Sequence, residues 1–99
     1  MKLRDIAHSR TGDKGDISNI SVIALDARDY PRLVSEVTVE RVAAHFAKIA
    51  AGPVRRYELP NVAALNFVIE GALAGGVTRA LTLDAHGKSL SSLMLDLEI

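Results

Sequence analysis

The chain has 99 residues, of which 48% are hydrophobic and 24% charged, and its 12 basic and 12 acidic side chains give a formal net charge of zero. This length predicts one domain over residues 1–99. Without a lysine or arginine stripe, the composition argues against nucleic-acid binding, which needs clustered cations. The absence of cysteine excludes disulfides and thiolate metal sites.

No stretch of the sequence resembles a secretory signal region, and no apolar run approaches the length that spans a membrane. We therefore expect a cytoplasmic protein without membrane contact. A small neutral domain also lacks the charge repulsion that keeps proteins apart in solution. For that reason we expect a homo-oligomer or a complex with a partner.

Two strands are predicted in the first quarter of the chain. Lys2 to Ala7 alternates imperfectly, whereas Ile17 to Leu25 is apolar on both faces, which suits a central strand. The polar stretch from His8 to Asn19 reads as the loop between them. Residues 26–37 then form a connection with a helical turn around Pro31 to Ser35.

A helix is predicted next, from Val39 to about Ala50, with Thr38 as its N-cap. Apolar side chains recur there at helical spacing on one face, and Gly52-Pro53 ends the segment. His45 falls on the polar face, so we expect its ring to be solvated.

The second half predicts a strand, a helix and two further strands. Val54 to Leu59 alternates as a strand, and Asn61 caps a helix from Val62 to about Ala74 that is apolar nearly all round. Thr78 to Asp84 is a fourth strand, and Leu93 to Ile99 alternates as a fifth. Together the elements predict an α+β two-layer sandwich, with about five strands in a mixed sheet and two main helices on one face.

The predicted polar loop carries the strongest candidates for chemistry. His8 fits a general base or ligand, or equally a strand-end histidine bonded to a carbonyl. Arg10 and Lys14 fit the binding of a carboxylate or phosphate, or pairing with Asp13 and Asp16 inside the loop. The candidate catalytic residues are His8, Arg10 and Asp13, and the candidate substrate-binding residues are Lys14, Asp16, Asn19, Asn66, Thr78 and Arg79.

Other kinds of site are weakly supported in this loop. The glycine spacing lacks the Gly-Lys-Ser/Thr ending of a Walker motif. Asp13, Asp16 and Asn19 do not match the calcium-loop spacing. The simplest alternative is a loop whose aspartates cap backbone amides. We predict no metal and no cofactor.

The run from Asp5 to Asn19 resembles the opening of the C-terminal domain of the AtuA family, the acyclic terpene utilisation proteins. Two later parts are similar to the same domain: Tyr57 to Asn61 running into Ala64 to Phe67, and Gly71 to Leu73 followed by Gly75 to Arg79. The resemblance implies a ferredoxin-like fold. Because the predicted order ββαβαββ differs from the simple βαββαβ order, it implies a variant of that fold.

In full-length members of that family this domain follows a much larger N-terminal domain. The resemblance therefore implies a small subunit that acts with a separate large AtuA-like partner in bacterial catabolism of acyclic terpenes or branched acyl-CoA compounds. An acyl-CoA-type small molecule is an implied ligand. Two alternatives remain: a stand-alone hydratase or lyase with His8 as base, and a homo-oligomeric binding domain without chemistry.

Overall fold

The structure, a computed structural model, describes residues 1–14, 17–47, 53–70 and 89–99, with only the backbone at residues 13, 14 and 89. Four strands and three α-helices are found in these ranges, besides short 3-10 turns. The strands are β1 (Ala7–Lys14), β2 (Ile17–Ala24), β3 (Val54–Leu59) and β4 (Ala64–Glu70). The helices are α1 (Tyr30–Glu36), α2 (Val39–His45) and α3 (Ser89–Leu95).

The strands form one antiparallel sheet in the order β1-β2-β4-β3. From β2 onward, the described elements run strand, helices, two strands and helix, as in the ferredoxin-like βαββαβ order, and β1 pairs beside β2. The predicted α+β ferredoxin-like variant is therefore confirmed. The described sheet has four strands rather than about five, and it is antiparallel rather than mixed.

The helices pack on one face of this sheet. Period-two burial in the central strands places Ile20, Val22, Leu65, Phe67 and Ile69 in the core. The helix α3 lies against β1 and β2, while α1 and α2 lie against β4 and β3. The helices and the segments after them complete the same cluster with Leu33, Val37, Val42, Phe46, Leu90, Met94 and Leu97.

The prediction at the N-terminus was wrong in one respect that matters for the site. Leu3–Asp5 is a 3-10 turn, and the first strand starts at Ala7. Residues 8–14 and 17–19 of this stretch therefore lie in two paired antiparallel strands and not in a loop, with His8 paired to Ile23 and Gly12 to Asn19. The sequence conceals this strand because its inward positions carry Ser9 and Thr11 instead of large apolar residues.

The predicted helix from Val62 is also wrong, because residues 64–70 form the central strand β4. A strand that is apolar on both faces has the same composition as a buried helix, so periodicity does not separate them. A 3-10 turn, Pro60–Val62, comes before β4, and Ala63 then adopts a left-handed conformation with φ of 52°.

The predicted fifth strand, Leu93 to Ile99, is wrong: Leu93 to Leu95 belong to the helix α3 (Ser89–Leu95), and residues 96–99 form no strand. Leu90 and Met94 are its buried residues, four positions apart as fits one face of a helix, and Leu97 is buried just after the helix ends. The alternation from Leu93 onward is coincidental. Only Lys2 and Glu98 form an isolated bridge near the two ends of the described chain. The predicted strand from Thr78 to Asp84 lies outside the described residues.

Other predictions are confirmed. β2 and β3 form as expected, and Thr38 caps α2 by accepting a hydrogen bond from the Arg41 amide at 3.2 Å.

The helix α2 is shorter than predicted: it ends at His45 with Phe46 at the C-cap, and residues 48–50 lie outside the described part. His45 is half-buried rather than solvated, because its Nε2 donates to the Leu93 carbonyl and joins α2 to α3. Within the described ranges, no helix has the length and apolar character to cross a membrane.

We expect Asp26 to titrate below its ordinary pKa of 3.8. The Arg28 amide lowers the pKa of this exposed carboxyl most, and the Arg28 guanidinium, 2.9 Å away, lowers it further. Because the folded-state pKa is depressed, the resulting stabilisation is present above the ordinary pKa and is lost as the pH falls through the folded value. In an NMR carboxyl titration, Arg28→Ala should leave the larger, amide-dependent part of the shift. A return of the pKa to 3.8 in that variant would contradict this assignment.

Candidate functional site: the open face of the sheet

The second face of the sheet is not covered by any described helix, and we call it the open face. It consists of alternate residues from all four strands. They are His8, Arg10 and Gly12 on β1; Ile17, Asn19, Ser21 and Ile23 on β2; Arg55, Tyr57 and Leu59 on β3; and Ala64, Asn66, Val68 and Glu70 on β4.

Cross-strand pairing arranges these side chains in rows. One row runs Arg10, Ser21, Asn66 and Tyr57, and the next runs His8, Ile23, Ala64 and Leu59. With a strand spacing of about 4.8 Å, the two ends of a row lie about 14 Å apart. The open face is therefore broad and shallow.

Four of the predicted site residues share this face. His8, Arg10 and Asn19 are exposed there, and Asn66 is half-buried between neighbouring strands. The backbones of Asp13 and Lys14 belong to β1, opposite Ser18 and Ile17. Asp16, Thr78 and Arg79 lie outside the described residues. The structure thus groups the four whose side chains it describes, and their proposed roles stay predictions.

Gly12 and Asn19 are packed directly against each other. A Cβ atom at Gly12 would lie 3.2 Å from Asn19 Nδ2 and 3.3 Å from its Oδ1, closer than an ordinary contact. The glycine therefore lets the Asn19 amide lie across β1 at this point of the open face.

We expect Gly12→Ala to stabilise the protein more in an Asn19→Ala background than in the wild type. Alanine restricts the unfolded chain more than glycine does, so the substitution stabilises a protein by about 0.5–1 kcal/mol where the added Cβ atom fits. At Gly12 the Asn19 amide occupies the space that this Cβ atom needs. A double-mutant cycle by urea denaturation should give a coupling of at least about 0.5 kcal/mol. Additive effects would show that the two side chains do not compete for this space.

The charges on the open face are unevenly compensated. Arg55 pairs with Glu70 at 3.6 Å. Arg10 and His8 make no side-chain hydrogen bond or ion pair with any described residue; only the Arg10 carbonyl is engaged, by the Ser21 hydroxyl at 3.4 Å. The described part of this face therefore presents an uncompensated guanidinium beside an imidazole.

One end of the open face is apolar. Leu59 is 44% exposed and Tyr57 is 49% exposed, and Ile23 and Ala64 lie between Leu59 and His8. A contiguous patch of large, exposed apolar side chains is typical of a protein interaction surface.

The geometry does not form a reaction pocket from the described side chains. General acid-base chemistry needs groups that converge on one substrate position, whereas these are spread across a shallow surface. A separate open cleft of about 450 Å³ lies on the helix layer, lined by Arg41, Ala44, His45, Asp96, Leu97 and Glu98. None of the predicted site residues lines it. The described residues also contain no group of three histidine, aspartate or glutamate side chains placed to hold a metal.

The α+β fold agrees with a family comparison. The sequence model of the AtuA ferredoxin-like domain matches residues 1–99. The chain belongs to the AtuA ferredoxin-like domain family. No curated protein and no solved structure gives a significant match.

Sequence reasoning missed several residues of this AtuA ferredoxin-like domain that share the open face. Ser21, Arg55 and Tyr57 lie in or beside the Arg10 row but were not among the candidates. The available signal is the alternation at the start of β3, where Val54 and Arg56 are half-buried and Arg55 and Tyr57 are exposed. This alternation places Arg55 and Tyr57 on the open face only once residues 64–70 are recognised as a strand, because β4 joins β3 to β2 in the sheet.

Proposed function

We propose that this AtuA ferredoxin-like domain is an accessory subunit that docks on a separate large AtuA-like protein. The complex would act in the cytoplasm, in bacterial catabolism of acyclic terpenes or branched acyl-CoA compounds. The observation that carries the proposal is the open face, where the candidate side chains and exposed apolar groups share one surface that no described helix covers. The metabolic context is the one that the resemblance to the AtuA family implies.

The composition of the open face fits docking better than stand-alone catalysis. Protein interfaces are enriched in tyrosine and arginine and combine apolar contacts with a polar rim. Tyr57, Leu59 and Ile23 provide the apolar part, and Arg10 and Asn19 provide the polar part. Small-molecule sites are instead concave and bury most of their ligand. An acyl-CoA compound would therefore bind the complex and not the open face alone.

The stand-alone hydratase or lyase reading receives no support from the described geometry. His8 is exposed on β1 and lies beside Ile23, so no described acidic residue orients its imidazole. A general base is usually held by a second group that fixes its tautomer and position. The homo-oligomeric binding domain is retained as an outcome of the experiments.

Reconstitution tests the proposed function directly. The domain, a large AtuA-like protein from the same host, and an equimolar mixture are each assayed with branched acyl-CoA thioesters. We expect turnover only by the large protein, at a rate that rises when the domain is added. Equal rates with and without the domain would contradict the accessory role. Turnover by the domain alone that is lost in His8→Ala would establish the stand-alone enzyme instead.

A further inference from the structure

We infer that the open face recognises an acidic patch bordered by apolar side chains on the partner, with Arg10 pairing to a partner carboxylate. This inference rests on the proposed function, since the occupant is the large AtuA-like protein. It adds the chemistry of the contact surface and the residue on which docking most depends.

The arginines of the described chain provide the first argument. Arg4, Arg28, Arg41, Arg55 and Arg56 each form an ion pair with an aspartate or glutamate of the same chain. Arg10 and Arg32 are the exceptions among the described arginines. Arg32 is exposed on α1 in the helix layer, whereas Arg10 lies on the open face, paired with Ser21 and one row from the half-buried Ile23. Among the described arginines, only Arg10 therefore places an uncompensated charge on the open face.

Charge also argues against a second copy of this chain as the occupant. A twofold contact through this face would bring Arg10 and His8 of one copy towards the same face of the other. The described carboxylate of that face, Glu70, already pairs with Arg55 at 3.6 Å. The second copy would thus leave the Arg10 guanidinium uncompensated in an interface, which is costly. A partner that supplies its own carboxylate avoids this cost.

The exposed apolar side chains at one end of the sheet define the rest of the surface that the partner must complement. Leu59 is 44% exposed, and beyond the strands Leu25 and Val62 are 62% and 64% exposed. Leu25 directly follows β2, where its amide binds the Ile6 carbonyl, and Val62 lies in the turn before β4. These side chains lie towards the His8–Leu59 end of the sheet. The partner should present apolar groups there and its carboxylate towards Arg10.

The test measures the dissociation constant between the intact domain and the purified large AtuA-like protein by titration calorimetry. Arg10→Glu and Leu59→Asp should each weaken binding by about 30-fold or more, the loss expected for a hot-spot residue. Arg32→Glu is the matched control, because it reverses the same charge on an exposed helix, and it should change binding by less than about threefold. Thermal unfolding of each variant checks the fold, and Arg10→Glu alone suffices if Leu59→Asp does not fold.

The outcomes separate this inference from the proposed function. Wild-type binding that survives both substitutions would overturn the open face as the docking surface, while the accessory role would stand. No binding by the wild type would overturn the accessory role and this inference together. A homodimer that Leu59→Asp dissociates would overturn the acidic partner as the occupant of the open face. Binding weakened by Arg10→Glu but not by Arg32→Glu would support the inference.

Discussion

Phe67→Ala is expected to lower the free energy of unfolding by about 3–5 kcal/mol, the usual cost of removing a buried phenylalanine. Phe67 is fully buried on the helix-covered face of β4, opposite Ile20 on β2 and Arg56 on β3. The core has few large side chains to close the resulting cavity, because the sequence contains only two phenylalanines. Small domains have total stabilities of about 5–15 kcal/mol, so the loss is a large fraction of the whole. Equilibrium urea denaturation measures it.

Val68→Ala and Ile69→Ala are the matched controls for this prediction. In a strand, Ile69 shares the buried face with Phe67, whereas Val68 points to the open face and is half-buried. We therefore expect a loss of about 2–5 kcal/mol at Ile69 but only about 1 kcal/mol at Val68. Comparable losses at Phe67 and Val68 would contradict the strand and its register.

Arg56→Ala should lower the free energy of unfolding by about 2–3 kcal/mol. The Arg56 side chain is only 18% exposed, and its Nη1 donates to the carbonyls of Val34 and Val37 at 2.7 and 3.0 Å. These carbonyls belong to the last turn of α1 and the residue after it, which have no helical partner there. Hydrogen bonds that involve a charged group contribute about 1.5–3 kcal/mol, and the substitution leaves the carbonyls unpaired.

Arg55→Ala provides the control for Arg56 on the same strand. Arg55 is 62% exposed and pairs with Glu70 across the open face at 3.6 Å. An exposed pair of this kind contributes about 0–1 kcal/mol. Thermal and urea unfolding of the two variants should therefore differ by at least about 1 kcal/mol. Equal losses would show that Arg56 does not join β3 to the end of α1.

Local signals in the sequence were sufficient for part of the fold. Thr38 was identified as a cap because a hydroxyl before an apolar helical pattern satisfies a free amide, and it binds the Arg41 amide. β2 and β3 were identified from their two-residue periodicity. Each of these elements depends on neighbours a few residues away, which the sequence alone reveals.

The elements that were missed depend on contacts far along the chain. β1 lacks an apolar pattern because Ser9 and Thr11 point to the helix layer, where their hydroxyls are buried without a hydrogen-bond partner in the described structure. Ser18 adds a third such hydroxyl from β2. Nothing local distinguishes such a strand from a polar loop. β4 failed for the opposite reason, because apolar residues lie on both of its faces, with Ala64 and Val68 on the open face, and they conceal its two-residue period.

The same distinction applies to the candidate site. His8, Arg10 and Asn19 were identified as an unusually polar cluster, and their hairpin brings them together locally. Asn66 was selected without a known position, and only the pairing of β2 with β4 places it in the Arg10 row. The open face could not be predicted, because its definition requires the register of all four strands.

The measurement that tests the accessory role most directly is affinity purification of the tagged chain from its own host, with native mass spectrometry of the eluate. We predict one large AtuA-like protein at a fixed stoichiometry, and Arg10→Glu should reduce its recovery while Arg32→Glu should not. Recovery of the domain by itself, as a monomer or a homo-oligomer, would contradict the account.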